Sequence, residues 1–281
     1  MSTLRLVPYN FHDDATLTAQ ILPVAGFSIE NTQDTQRSRV WRSVSGADQY
    51  VEGTYDDGIS RTASFFSFFR HRCHGGNVRL VLYSDVAYSS SVYDSGALPI
   101  INLTPTDGAA WGFDAYGGSG TDPYLTDTPY WKYFTPTAHK SFRIYFTGNV
   151  GTYGYSYWQV CRFFLGNYFE PAFTAQYGAQ INVVSQSDRN RSRGGSLRTN
   201  IGPRWRTMQM DLIRVPESDR AAWLDIATRM GTDRDFVLSL FAGDGTRKER
   251  DHIVNCVFSA ADGLERFHPS YLKRRIQIEE V

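Results

Sequence analysis

The sequence predicts a mainly β protein built of two β-sandwich-like domains, the C-terminal one with a single flanking α-helix. Three observations predict it. Aromatic residues make up 15% of the chain and hydrophobic residues 41%, and Tyr, Phe and Trp pack well on a pleated surface. Short apolar runs bounded by Gly, Asn and Pro fill most of the length. Only Ser218–Met230 carries convincing helical periodicity. The 281 residues leave room for two ordinary domains, read as 1–166 and 167–281.

Each element has a local reason. Val40–Ser43 and Gln49–Gly53 are short strands beside polar turn residues. Ala63–Phe69, with SFFSFF at its centre, reads as a buried strand. In Val78–Tyr83, Val78, Leu80 and Leu82 share one face, and the preceding Gly75-Gly76-Asn77 signals a turn. Thr104–Thr135 breaks the pattern, placing Trp111, Tyr116, Tyr124, Tyr130 and Trp131 among Gly, Asp, Thr and Pro. It reads as a long loop or insertion, a type of segment that is often functional. Strands resume at Lys140–Phe146 and Tyr155–Phe164, and Asn167–Pro171 marks the domain boundary.

In the second half, Gln180–Val184 is a strand, and Ser185–Asn200 is polar and Arg-rich. That stretch reads as the exposed, mobile tip of a long hairpin whose return arm is Trp205–Val215, with Met208, Met210 and Leu212 on one face. Pro216 stops the arm and Ser218 is placed to cap the helix. Trp223, Ile226, Ala227 and Met230 form its apolar stripe, and Gly231 suits a left-handed C-terminal cap. Phe236–Phe241, a Gly243-Asp244-Gly245 turn and His252–Phe258 follow, and Leu272, Ile276 and Ile278 share one face of the last strand.

Charge and cysteine content narrow the function. Acidic and basic residues balance at 29 each, so no global field draws in nucleic acid or an anionic membrane. Three widely spaced cysteines are no disulfide framework and read as reduced thiols of a cytosolic setting. The N-terminal stretch lacks the apolar core of a signal peptide, and no run approaches the length of a membrane-spanning helix.

No nucleophile or phosphate-loop motif is visible, so the chain reads as no enzyme, with no catalytic residue and no cofactor. His71, Cys73 and His74 have donor atoms suited to zinc but no second cluster to complete a site, so no metal is assigned. Asp56, Asp57, Asp114, Asp122 and Asp127 lack calcium-loop spacing and read as turn carboxylates. Trp111, Tyr116, Tyr124, Tyr130 and Trp131 are the candidate glycan-binding residues, because large rings can stack on the C–H faces of sugars. Arg189, Arg191, Arg193 and Arg198 form a candidate subunit-interface loop, since the planar guanidinium suits interfaces. The loop has no interleaved aromatics, so no specific nucleic-acid binding is expected.

Several phrases carry a resemblance. ENTQ at Glu30–Gln33, RVWRS at Arg39–Ser43, RHRCHGGNVRLVLYSD at Arg70–Asp85 and VYDSG at Val92–Gly96 resemble the N-terminal part of siphophage tail-module proteins. They are also loosely similar to discoidin-like or galactose-binding-like sandwiches. DRAAWLDI, GTDRDFVLSLF, DGTRKERDH and IQIEEV resemble the same tail proteins.

The resemblance implies a structural virion protein of a phage tail tip or baseplate, similar in role to a distal tail protein, with a tail-tube-like second domain. Such a protein would be made in the host cytoplasm and reside in the virion tail. It would form a homo-oligomeric ring or trimer that meets tube, hub and tape-measure proteins. The alternative expectation is a virion-associated receptor- or glycan-binding protein that uses the aromatic insertion to meet a host surface glycan.

Overall fold

A computed structural model of the chain describes residues 3–73, 75–100, 129–148, 156–173, 179–192, 195–200, 202–243, 247–260, 264–268 and 271–281. The protein is mainly β, and two compact units account for it: residues 7–169 with 245–251, and residues 1–6 with 170–244 and 252–281. The first strand, β1 (Thr3–Val7), hydrogen-bonds into the sheet of the C-terminal unit, whereas the sequence reading placed it with the N-terminal half. Its alternation buries Leu4 and Leu6.

The larger unit is a sandwich. Its strands are β2 (Thr16–Ala19), β3 (Trp41–Arg42), β4 (Gln49–Thr54), β5 (Arg61–Phe69), β6 (Gly76–Tyr83), β7 (Ser91–Asp94), β8 (Leu98–Pro99), β9 (Tyr130–His139), β10 (Ser141–Gly148), β11 (Gln159–Val160) and β12 (Arg162–Gly166). One sheet runs β2-β4-β10-β6-β7 with β8 also on β6, a second runs β12-β5-β9, and β3 pairs with β11. The inward faces of Val51, Leu80, Leu82, Phe142, Ile144 and Phe146 meet Phe66, Phe68 and Phe163 across a core that also holds Trp41 and Trp158.

Two expected elements change here. The sequence predicts one strand over Tyr155–Phe164, but the described part splits at Cys161, because β11 pairs with β3 while β12 pairs with β5. The insertion was read as reaching Thr135, but β9 already begins at Tyr130, held in register by β5.

Among the described residues, the C-terminal unit holds one main sheet, a small two-stranded pair and a flanking helix. The rest of the chain forms β13 (Gln180–Ser185), β14 (Asp188–Arg191), β15 (Leu197–Asn200), β16 (Arg204–Pro216), α1 (Arg220–Met230), β17 (Phe236–Ala242), α2 (Arg247–His252), β18 (Ile253–Phe258), β19 (Leu264–His268) and β20 (Tyr271–Glu280), of which α2 groups with the larger unit up to Asp251. The order is β1-β17-β18-β20-β16-β13, with β19 also on β20. The expected long hairpin is present as β13 against β16, and its tip folds back as a smaller antiparallel pair, β14 with β15.

Trp223, Ile226 and Met230 are buried, and Arg274 of β20 donates to the Trp223 carbonyl at 2.9 Å with its guanidinium 4.7 Å from the Trp223 ring centre. Gly231 ends α1 with the positive φ of +52° that favours glycine, but its ψ of −140° lies outside the left-handed helical region expected of the cap. Ser218 does not cap α1. It lies in a 3-10 turn that precedes the helix, and its hydroxyl meets Asp219, whose carboxylate accepts from the Ala172 amide at 2.9 Å. A second helix, α2, is present among the described residues; it follows the expected Gly243-Asp244-Gly245 turn and takes His252, the first residue of the expected strand.

Candidate functional site

Four chain segments converge at one end of the sandwich. The β3–β11 pair places Arg42 opposite Gln159, and Nε and Nη2 of Arg42 donate to Gln159 Oε1 at 3.1 and 2.8 Å. Its guanidinium carbon lies 4.4 Å from the ring centre of Phe27 and 4.7 Å from that of Tyr157, so the cation is clamped between two aromatic faces. The Tyr157 hydroxyl accepts from Nη1 of Arg72 at 3.0 Å.

Backbone bonds fix the assembly. Arg42 N–H donates to the Phe27 carbonyl at 3.1 Å, Val24 N–H to the Arg42 carbonyl at 3.0 Å, and Arg72 N–H to the Gln159 carbonyl at 2.8 Å. Arg42, Phe27 and Tyr157 remain partly exposed and Arg72 is exposed.

Both roots of the aromatic insertion belong to this end. Ile100 N–H donates to the Gly76 carbonyl at 2.8 Å, and Gly76 lies directly beneath the Trp158 ring. On the other root, Tyr130 pairs with Phe68 and stacks on it at 4.8 Å with an interplanar angle of 16°. Tyr130 therefore spends a ring face on the core, and burial pushes its phenol up. Trp131 pairs with Ser67 and is partly exposed. Trp111, Tyr116 and Tyr124 lie outside the described residues.

The RHRCHGG segment is committed to packing where it is described. His71 is buried against Phe68, and its Nδ1 accepts from the Cys73 amide at 3.3 Å. The Cys73 thiol donates to the Gln159 carbonyl at 3.3 Å, and burial pushes it up to about 12, against thiolate chemistry. His74 lies outside the described residues. Cys73, Cys161 and Cys256 are buried and form no disulfide with one another.

The interface candidates divide similarly. Arg189 and Arg191 are exposed on β14, and Arg191 donates to the Gly195 carbonyl at 3.2 Å. Arg198 pairs through its backbone with Asn190, and Arg193 lies outside the described residues.

A second polar surface covers the outer face of the larger sheet. Tyr145 sits between Tyr50 and Arg79, and Arg143 between Glu52 and Val81. The Arg143 guanidinium carbon is 5.0 Å from the Tyr50 ring centre and 4.2 Å from that of Tyr88, whose φ of +57° is rare for a bulky residue. Each cation on this face has an acid: Arg143 meets Glu52 at 2.9 Å and Arg79 meets Asp94. Sequence alternation announces those outward positions. The Arg42 clamp escaped the sequence reading, because its aromatic partners lie fifteen residues before and more than a hundred after it.

No protein-family profile matches the chain, and no curated protein sequence does. Among solved structures, it is similar to chitosan-binding module 1 of a chitosanase/glucanase from Paenibacillus sp. IK-5, at 17% identity and a TM-score of 0.38, over 56% of this chain and 98% of that module. It is also similar to a CBM32 module from Clostridium perfringens in complex with GalNAc-β-1,3-galactose, at 12% identity and a TM-score of 0.38, over 57% of this chain and 99% of that one. The lectin domain of lectinolysin matches at 9% identity and a TM-score of 0.38, over 57% of this chain and 96% of that domain. Likeness at this level assigns neither a family nor a ligand.

Proposed function

We propose that the sandwich unit is a carbohydrate-recognition module whose ligand meets its loop end, and that it binds without a catalytic step. One observation carries this reading: the aromatic-rich insertion springs from the end of the sandwich where Phe27, Arg42 and Tyr157 form a rigid, partly exposed aromatic and cationic cluster. Rings supply stacking surface for sugar C–H faces, and a guanidinium supplies directional donors for sugar oxygens.

The test is a glycan array with the full chain, followed by calorimetry on any retained glycan. Trp111→Ala and Trp131→Ala should weaken binding by about tenfold or more, the scale of a lost ring contact, with the melting transition retained. Retention of no glycan by the wild-type protein would sink the reading.

A second reading has its own observation. Among the described residues β13 is an edge of the C-terminal sheet; it carries no charged residue and exposes Ile181 and Val183. An uncharged, unblunted edge is a template for strand addition. On this reading the chain assembles into a ring or trimer as a tail-tip component of a virion, beside tube, hub and tape-measure proteins. Light scattering across a concentration range tests it: a discrete oligomer that Val183→Lys dissociates supports assembly, and a monomer at every concentration counts against it.

A further inference from the structure

The cations of the sandwich unit are not treated alike. Arg61, Arg79, Arg143 and Arg162 each meet a carboxylate. Arg42 meets none among the described residues. Its polar partner is the neutral amide of Gln159, and its remaining contacts are two ring faces. Rings and an amide orient a guanidinium and lower the cost of its burial, but they do not neutralise it.

The bonding pattern also selects which edge is left. Gln159 Oε1 takes the side made by Nε and Nη2. The end-on pair of N–H groups, one on Nη1 and one on Nη2, has no acceptor among the described residues. These two parallel donors are spaced for the two oxygens of a carboxylate. Contact with Phe27 and Tyr157 and the fork onto Gln159 already restrain the guanidinium, so less side-chain freedom remains to be lost on binding. The Arg72 guanidinium donates to the hydroxyl of the same tyrosine and helps to hold that ring in place.

We infer that Arg42 is an anion-recognition point, and that the ligand of the loop end carries a carboxylate: an acidic sugar of the uronic-acid class, received end-on by Nη1 and Nη2. This inference rests on the carbohydrate reading for the sugar and on the Arg42 geometry alone for the carboxylate.

The experiment titrates the full chain with methyl glucuronide, its neutral twin methyl glucoside, and acetate, following chemical shifts by NMR. Glucuronide should bind at least about tenfold more tightly than glucoside, as one charge-assisted pair predicts. Arg42→Met should remove that preference, and Arg42→Lys should restore only part of it, because a single ammonium cannot form the fork. If Arg42→Met fails to fold, Gln159→Glu serves instead: it gives Arg42 an internal carboxylate, keeps the packing, and should abolish the preference.

Equal binding of glucuronide and glucoside, unchanged by Arg42→Met or Gln159→Glu, overturns the inference and leaves the carbohydrate reading standing. Acetate binding as tightly as glucuronide with the same dependence on Arg42 supports the carboxylate point and removes the carbohydrate reading. Binding of no probe at millimolar concentration overturns the inference.

Discussion

Acid should unfold this protein in a window set by buried histidines, and His139 allows the size to be worked out. Its side chain is fully buried at the end of β9, with Nε2 3.0 Å from the Tyr55 hydroxyl and Nδ1 3.4 Å from the Thr137 carbonyl. The Thr137 carbonyl can only accept, which favours the neutral tautomer with its proton on Nδ1; Nε2 then accepts from the Tyr55 hydroxyl, whose phenol burial keeps protonated. Protonating Nε2 would oblige the Tyr55 hydroxyl to turn and accept instead, and would put a cation in a buried site beside Arg61. Burial first, and Arg61 as a further cause, lower the His139 pKa to about 4 from 6.5, against the opposing pull of the Thr137 and Arg61 backbone.

The sign follows directly. Between pH 6.5 and about 4 the unfolded chain binds a proton at this residue and the folded chain does not, so stability falls as pH falls through that window. At about 1.4 kcal/mol per pH unit, the full loss is roughly 3 kcal/mol. His12 acts in the same direction. It is caged by Phe142 and Phe163, and its pKa is lowered chiefly by burial.

Asp57, Asp85 and Asp94 have pKa values depressed below 3.8 by their hydrogen bonds and by Arg partners, so they contribute only at lower pH and leave the window to the histidines. Urea unfolding of wild type and His139→Gln from pH 7.5 to about 4.5 measures the slopes. The variant should lose close to one proton of pH dependence, whatever its stability at pH 7.5. A variant slope equal to that of wild type would refute the account of His139.

Two further predictions concern packing and charge. Gly76→Ala would drive a Cβ into the Trp158 ring, which is fully buried, so it should cost about 1–3 kcal/mol or more in urea unfolding and also weaken ligand binding at the loop end. Arg162→Met should cost about 2–3 kcal/mol, because Arg162 is buried and forks onto Asp13 at 2.6 Å while also donating to the Thr32 carbonyl at 3.1 Å. Arg79→Met removes an exposed pair and should cost under about 1 kcal/mol, so equal losses for the two would count against burial as the deciding factor.

The elements legible in the sequence were those whose burial is written locally. Val78, Leu80 and Leu82 face the core as their alternation requires, and Trp223, Ile226 and Met230 do so on the helix. β9 was hidden because YWKYFTPTAH contains Pro136 and does not alternate in burial. Its strand character comes from pairing with β5, some sixty residues away. β1 did alternate, but its partner β17 lies more than two hundred residues on, so nothing local assigned it to the C-terminal sheet. The break at Cys161 has the same origin, since only the change of partner from β3 to β5 reveals it. Ser218 had the chemistry of a cap but not the backbone, because a 3-10 turn delays the helix to Arg220.

The two polar surfaces of the sandwich differ in what they leave unsatisfied among the described residues, and that difference is the reason for proposing the ligand at the loop end. On the sheet face, Glu52 and Asp94 balance Arg143 and Arg79, so an incoming charged group would have to displace an existing partner. At the loop end, Arg42 is oriented by groups that cannot neutralise it. A partly buried cation gains most from an anion, because solvent screens the pair less than it would in bulk water. Desolvation of the ligand's carboxylate opposes this gain, and the rigidity of the clamp offsets part of that cost in advance. Tyrosine and arginine thus serve two ends: with carboxylates beside them they hold a sheet face, and at Arg42, with no carboxylate partner among the described residues, they leave a place for one.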